Sequence, residues 1–446
     1  MIENKSGFDT VKTTTGTKKT VVGFQPKLLF VSLVPDTAVG GINTHYTTSV
    51  GIGTLTGSPT NQICLTNWDM DGTLLDNKNY HKTEEKLMRM MANETTSLIE
   101  GLLVSFDADG FTIDYTVVDG NAYRFAYLAI GGDDIEQTYI GKRSQLLGVM
   151  PPYVTDIDLL APFDPDFVLF TTDWVNNEYG NTGLNWNFAG FFNRRDHYIN
   201  GEYGAWDQSI GQVRAGARSA GKVNCTLVNG NPMWSYVYFP GTPYNPNLNM
   251  NSATNGYITN GIRISSYYGN MLSPINIYYI AIKGAVEITH VYAGIYGGWS
   301  NTWNITLPHV AKPACAFVHG ACYGGDGALP TIPNYLDASI GFIDEVGNQA
   351  GTTSWINPPA TAPVATISKH SNFNDSIWEM RRVRDNSVRL KYNFVSWGQG
   401  VEDGKLTVNK MVWTTPYSNS GAVFSLLTFG HSQSDPQMVG QGGTVV

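Results

Sequence analysis

The sequence predicts an all-β protein built from three tandem antiparallel β-sandwich modules, jelly-roll or lectin-like in kind, with few helices. Three observations carry that prediction. A strand–turn–strand pattern recurs three times, a proline-led apolar run recurs ahead of it, and the composition favours turns and strands over helices.

The first copy of the pattern, DGFTIDYTVVDGNAYRFAYLAIGG, runs from Asp109 to Gly132. Phe111, Ile113, Tyr115 and Val117 alternate with Thr112, Asp114 and Thr116, the period of a strand with one buried face. Asp119-Gly120 supplies a turn, because glycine reaches positive φ without steric cost, so a hairpin is expected. Asn121 to Ile130 reads as the return strand, apolar on both faces and hence deep in a sheet. The second copy spans Asn260 to Gly284, and a third, more diverged, spans Asn386 to Trp413.

The modules also open alike. Phe24-Gln25-Pro26 precedes the apolar run Leu28 to Val31, Phe163-Asp164-Pro165 leads a run ending at Thr172, and Pro313 precedes Ala314 to Val318. Proline is tolerated at a strand entrance, where its missing N–H falls outside the ladder. The repeat spacing of about 130–150 residues suits separate domains rather than a solenoid. The expected modules are 1–145, 146–287 (with an aromatic-rich insertion) and 288–446.

At 446 residues the chain exceeds what one core normally serves. Charged residues make up 15%, against roughly 25% in an average soluble domain. Gly, Asn, Thr, Ser and Tyr fill the gap, and Asn-Gly or Asp-Gly pairs such as Asp109-Gly110, Asn260-Gly261 and Asp403-Gly404 mark turns. The one helical stretch expected is KTEEKLMRMMANE, Lys82 to Glu94, which could equally be a polar excursion between strands.

With 28 basic and 37 acidic residues the net charge is −9, so the chain lacks the electrostatic term that dominates nonspecific nucleic-acid binding. Arg194-Arg195 and Arg381-Arg382-x-Arg384 read as solvated strand faces. Cys64, Cys225, Cys315 and Cys322 form no Cys-x-x-Cys pair and read as reduced, mostly buried thiols. The polar N-terminus shows no secretory signal, and no apolar run approaches the ~20 residues that span a bilayer. A cytosolic site of synthesis and assembly is expected, without membrane insertion.

One motif points to catalysis. Asp69-Met70-Asp71-Gly72-Thr73-Leu74-Leu75-Asp76 resembles the first signature of haloacid dehalogenase-like phosphatases. The resemblance implies Asp69 as nucleophile, Asp71 as general acid/base and Thr73 as phosphate holder, with Asp133-Asp134 resembling the later Mg²⁺ motif. The context opposes it: that fold needs a buried parallel strand and alternating helices, and only about 60 residues separate the two acidic motifs. The eight histidines are scattered, and neither a nucleophile elbow nor a P-loop is present. No catalytic residue, cofactor or metal is therefore expected.

The first module resembles, over its whole length, a family of β-sandwich domains found in bacteriophage virion proteins. The carrying segments are Val22 to Leu33, Ser49 to Thr54 and Leu102 to Gly132. The resemblance implies a non-enzymatic structural role in a tail, fibre or particle surface, with other virion proteins as partners and the virion as location. The Phe-x-Pro opening and YLAIGG close are also distantly similar to H-type lectin domains, sandwiches that bind sugars as trimers. The expected function is thus protein–protein assembly, as a homo-oligomer, with host-surface glycan attachment as an added role. The alternatives are a capsid decoration protein, a carbohydrate-binding module array and, third, the phosphatase. Partner or glycan contacts are expected in two aromatic-rich stretches, at Trp186, Tyr198, Tyr203, Trp206, Tyr296, Trp299 and Trp303, because Tyr and Trp give large contact area at low entropic cost.

Overall fold

A computed structural model describes residues 1–38, 47–70, 78–92, 96–145, 154–174, 185–186, 190–193, 212–218, 222–228, 234–235, 247–250, 257–267, 275–295, 301–324, 336–357, 367–381, 388–400, 403–412 and 420–431. The first module contains β1 (Ile2–Thr10), β2 (Gly16–Val21), β3 (Pro26–Leu33), β4 (Thr47–Thr54), β5 (Thr56–Ser58) and β6 (Gln62–Met70). It continues with β7 (Lys78–Glu84), β8 (Met88–Met91), β9 (Ser97–Asp107), β10 (Gly110–Val117) and β11 (Arg124–Gly132). The second holds β12 (Ile135–Gln145), β13 (Val154–Leu160), β14 (Phe167–Trp174), β15 (Asn185–Trp186), β16 (Gly190–Asn193) and β17 (Gln212–Arg218). Then come β18 (Lys222–Val228), β19 (Trp234–Ser235), β20 (Asn247–Met250), β21 (Tyr257–Ile258), β22 (Gly261–Tyr267) and β23 (Ile275–Gly284). The third holds β24 (Glu287–Ile295), β25 (Asn301–Leu307), β26 (Lys312–Gly324), β27 (Leu336–Ile343) and β28 (Gln349–Asn357). Its remaining strands are β29 (Ile367–Phe373), β30 (Trp378–Arg381), β31 (Val388–Gly398), β32 (Gly404–Val412) and β33 (Ser420–His431). The fold is all-β, and the described residues contain no helix.

The strand pairing shows what the repeat is. In the first module a six-stranded sheet, β1-β11-β3-β4-β6-β7, faces a four-stranded one, β2-β10-β9-β8. The third repeats this order strand for strand, as β24-β33-β26-β27-β28-β29 and β25-β32-β31-β30. The second keeps part of it: β12-β23-β14-β16 follows β1-β11-β3-β4, and β13-β22-β20-β19 follows β2-β10-β9-β8. Its β15, β17 and β18 form a separate three-stranded sheet.

Four expectations change in light of this pairing. Asp109 to Gly132 is not a hairpin: β10 pairs with β2 and β9, whereas β11 pairs with β1 and β3 in the opposite sheet. The same crossing separates β22 from β23 in the second copy. In the third copy β31 and β32 do pair as a hairpin, so the true counterpart of the crossing lies one strand later, at β32–β33. Strand β12, grouped by sequence with the first module, pairs along its length with β23 of the second. Finally, Lys82–Glu94 is not helical over its described part. It comprises the end of β7, a bend and β8, whose Met88 and Met90 enter the first module's core beside Leu87. Tertiary burial overrides the helix propensity of that stretch.

The large sheets are buried on both faces, and this explains the continuous apolar runs. On β3, Leu29, Val31 and Leu33 face the first module's own core, together with Phe125, Tyr127 and Ala129 of β11. The alternate residues Leu28 and Phe30, with Ala126, Leu128 and Ile130, face away into a second core. That core is shared. Phe167, Leu169, Tyr278, Ile280 and Ile282 of the second module and Cys315, Phe317, Leu427 and Phe429 of the third belong to it too. Phe30 stacks on Phe317 with ring centroids 5.2 Å apart and approaches Phe429 at 6.2 Å.

The contacts around this core run head to tail. The first strand of each module packs on the third to fifth positions of the preceding one: β12 on β3 and β4, β24 on β16, and β1 on β27 and β28. A heterologous contact that returns to its start after three copies makes a closed ring. One chain therefore builds what a homotrimer would build from three.

Candidate interaction surfaces

The aromatic candidates divide sharply. Tyr198, Tyr203, Trp206, Tyr296 and Trp299 lie outside the described residues, and for Trp186 only its backbone, in β15, lies inside them. Trp303 is placed. It sits half-buried on β25 against the third module's core, 6.2 Å from the Tyr392 ring, which in turn lies 5.7 Å from Trp378. Its ring is thus part of the sandwich filling.

The phosphatase-like motif falls on β6 and the segment after it. Asp69 stands opposite Asn79 of β7, and β6 runs antiparallel to both of its neighbours, β4 and β7. Asp71 and Thr73 lie outside the described residues. A haloacid dehalogenase-like site needs its nucleophile at the end of a parallel strand, and the parallel pairing described here is the short one between β5 and β12.

The second acidic motif has a different task. Asp134 is buried where the modules join: one carboxylate oxygen meets the Met1 amine at 2.7 Å and the other lies 3.1 Å from Nδ1 of His431. The Val286 N–H donates to the Asp134 carbonyl at 3.1 Å, and Lys27 Nζ donates to the carbonyls of Gly132 and Ile135 at 2.9 and 2.7 Å. Met1, Asp134 and Val286 each precede the first strand of a module, so the three entrances are tied together at one seam. A further buried link joins Ser32 Oγ to Thr352 Oγ1 at 2.6 Å. Ser32, Thr171 and His319 occupy the same register position in the three modules, opposite Ala126, Tyr278 and Ser425, and all three are buried.

Among the described residues, the outer faces and outer edges of the smaller sheets are surfaces open to partners. In the first module that surface is charged and internally paired. Lys19 pairs with Asp109, while Asp107 accepts from Thr112 at 2.6 Å and Ser105 at 2.8 Å, which holds its carboxyl below the usual range. Inward-facing Lys18 is held by Asp9 at 2.5 Å. In the second module the edge strand β13 carries Asp158, bonded to Arg263 at 2.6 Å, and exposed Asp156. In the third the face is uncharged along β25: Thr302 donates to Asn409 at 2.9 Å and Thr407 to Asn304 at 2.8 Å. Nothing in the composition marked this neutral edge, yet NTWNITL beside GTKKTV shows it at a glance once the two strands are known to be counterparts.

Two buried groups complete the electrostatics. Burial, with the charge of Glu84 adding, pushes the Cys64 thiol up to about 12, far from reactive thiolate. Burial alone lowers the Lys410 ammonium below its usual range. Among the described residues, no group of three or more His, Cys, Asp or Glu side chains is arranged to hold a metal. No protein-family model matches the chain, and no curated protein is similar to it.

Proposed function

We propose that this chain is a non-enzymatic structural protein of a bacteriophage virion, located in the tail, fibre or particle surface and acting by protein–protein assembly. The observation that supports the reading best is the ring. Three sandwiches, two of identical strand order and a third that keeps part of it, share one core, so the chain's apolar surface is committed to a rigid scaffold. A scaffold of this kind presents surface rather than enclosing a pocket. Attachment to a host-surface glycan is the second reading, favoured by the seven aromatics between Trp186 and Trp206.

The test is fractionation of purified particles. The protein should sediment with intact virions and withstand a salt wash, and antibody labelling should place it at the tail or on the capsid. Recovery only from soluble host lysate would overturn the virion reading. Binding of the isolated protein on a glycan array, lost when Trp186, Trp206, Trp299 and their neighbours are replaced by Ala, would establish the second.

A further inference from the structure

We infer that the outer edge of β25 is a homotypic docking site, at which two copies of this chain pair their β25 strands antiparallel and join their four-stranded sheets into one. An edge strand exposes a row of unpaired backbone groups, and proteins blunt such edges with charge, above all lysine, or with inward-pointing charged residues. The three modules offer a comparison at one topological position. Strand β2 carries Lys18 on its inward side and Lys19 on its outward side, and Lys12 Nζ covers the Thr17 carbonyl at 3.2 Å. Strand β13 carries Asp156 and Asp158. Strand β25 is NTWNITL, with neither charge nor proline, in unbroken register with β32 from Asn301 to Leu307. Among the described residues no strand pairs with its other side.

The occupant is identified by the sequence of β25 itself, which is self-complementary about Asn304. Antiparallel pairing of two copies centred there sets Thr302 against Thr306, Asn304 against Asn304, and Trp303 against Ile305. Thr302, Asn304 and Thr306 are exposed on one face, while Trp303 and Ile305 lie on the face turned to the core. Hydroxyl therefore meets hydroxyl, amide meets amide with a donor and an acceptor on each side, and apolar meets apolar. The contact is isologous and closes as a dimer. Self-pairing of β2 or β13 would instead bring like charges together, which is destabilising. The inference stands independently of what the aromatic-rich stretches bind.

Sedimentation velocity of the full chain over a concentration series tests it. A monomer–dimer equilibrium is expected. Asn304→Lys, which installs the residue found at the matching position of β2, should weaken dimerisation about 10-fold or more, as should Asn304→Glu, with circular dichroism and melting unchanged. An equimolar mixture of the two variants should recover a heterodimer at low salt and lose it as salt is raised, since residue 304 faces its own copy. A chain monomeric at all accessible concentrations, a dimer indifferent to both variants, or a mixture that stays monomeric would overturn the inference.

Discussion

The first and third modules share the same order in both sheets, strand for strand, yet their outer sheets differ. The first fills its core with Phe111, Tyr115, Phe125 and Tyr127 and closes its outer face with ion pairs such as Lys19–Asp109 and Arg89–Glu100. The third fills its core with Trp378, Tyr392, Leu406 and Val408, places Trp303 where the first has Lys18, and leaves an amide and hydroxyl face outside. The ring-forming face changes far less. Leu28, Phe30, Leu128 and Ile130 in one correspond to Cys315, Phe317, Leu427 and Phe429 in the other, all buried. What the comparison teaches is a division of labour within one sandwich: the large sheet is constrained by its siblings, and the small sheet is available to diverge.

The largest effect should come from the shared core. Phe30→Ala and its counterpart Phe317→Ala should each cost about 3–5 kcal/mol in chemical denaturation. Because the two rings stack, the double variant should cost less than the sum. Losses typical of exposed sites would break the ring description. Next come two glycines at matching positions. A Cβ on Gly51 would stand 1.7 Å from the Leu87 carbonyl oxygen, and one on Gly341 would stand 1.8 Å from that of Ile377. Gly51→Ala and Gly341→Ala should each destabilise by about 3 kcal/mol, and a wide difference between their denaturation midpoints would show that the two crossings are not alike.

A smaller loss is expected at the seam between these modules. Ser32→Ala removes the partner of the buried Thr352 hydroxyl and should cost about 1–3 kcal/mol, whereas the exposed Thr302→Ala should change the melting temperature little. The smallest effect is a gain, and it separates the modules by pH. Lys410 takes the core position held by Tyr115 in the first module, and its ammonium is lowered by burial. Folding is therefore disfavoured while the lysine is charged, and stability rises as pH passes its folded value towards the unfolded one near ~10.4. Lys410→Met should stabilise by less than about 1 kcal/mol near neutrality, the difference fading at alkaline pH. Asp107 of the first module acts oppositely in acid: its carboxyl is held low, so its contribution is present above the unfolded value near ~3.9 and lost as pH falls through the folded one. Melting curves of wild type and variant across pH measure both.

Much of the fold was legible. The alternation at Phe111, Ile113 and Tyr115 marks β10, the two-sided apolar run marks β11 as a central strand, and Pro26, Pro165 and Pro313 stand at the entrances of β3, β14 and β26. The hairpin reading failed because Asp119-Gly120 is compatible with either a tight turn within a sheet or a crossing between sheets. Local sequence is the same in both. The edge character of β25 is hidden in the sequence for a similar reason: Trp303 reads locally as an aromatic contact, while the informative property is the missing charge of its whole strand relative to β2 and β13.

By itself, then, the chain determined where strands lie, which of them are buried on both faces, and that the pattern occurs three times. These follow from side-chain periodicity and turn chemistry, which act over a few residues. Which strand pairs with which, that β12 belongs with β23, and that three sheets bury one another around Phe30, Leu169 and Phe317 were decided only in the folded molecule. Pairing and burial of that kind join residues separated by hundreds of positions, and their free energy exists only once the loops between them are closed.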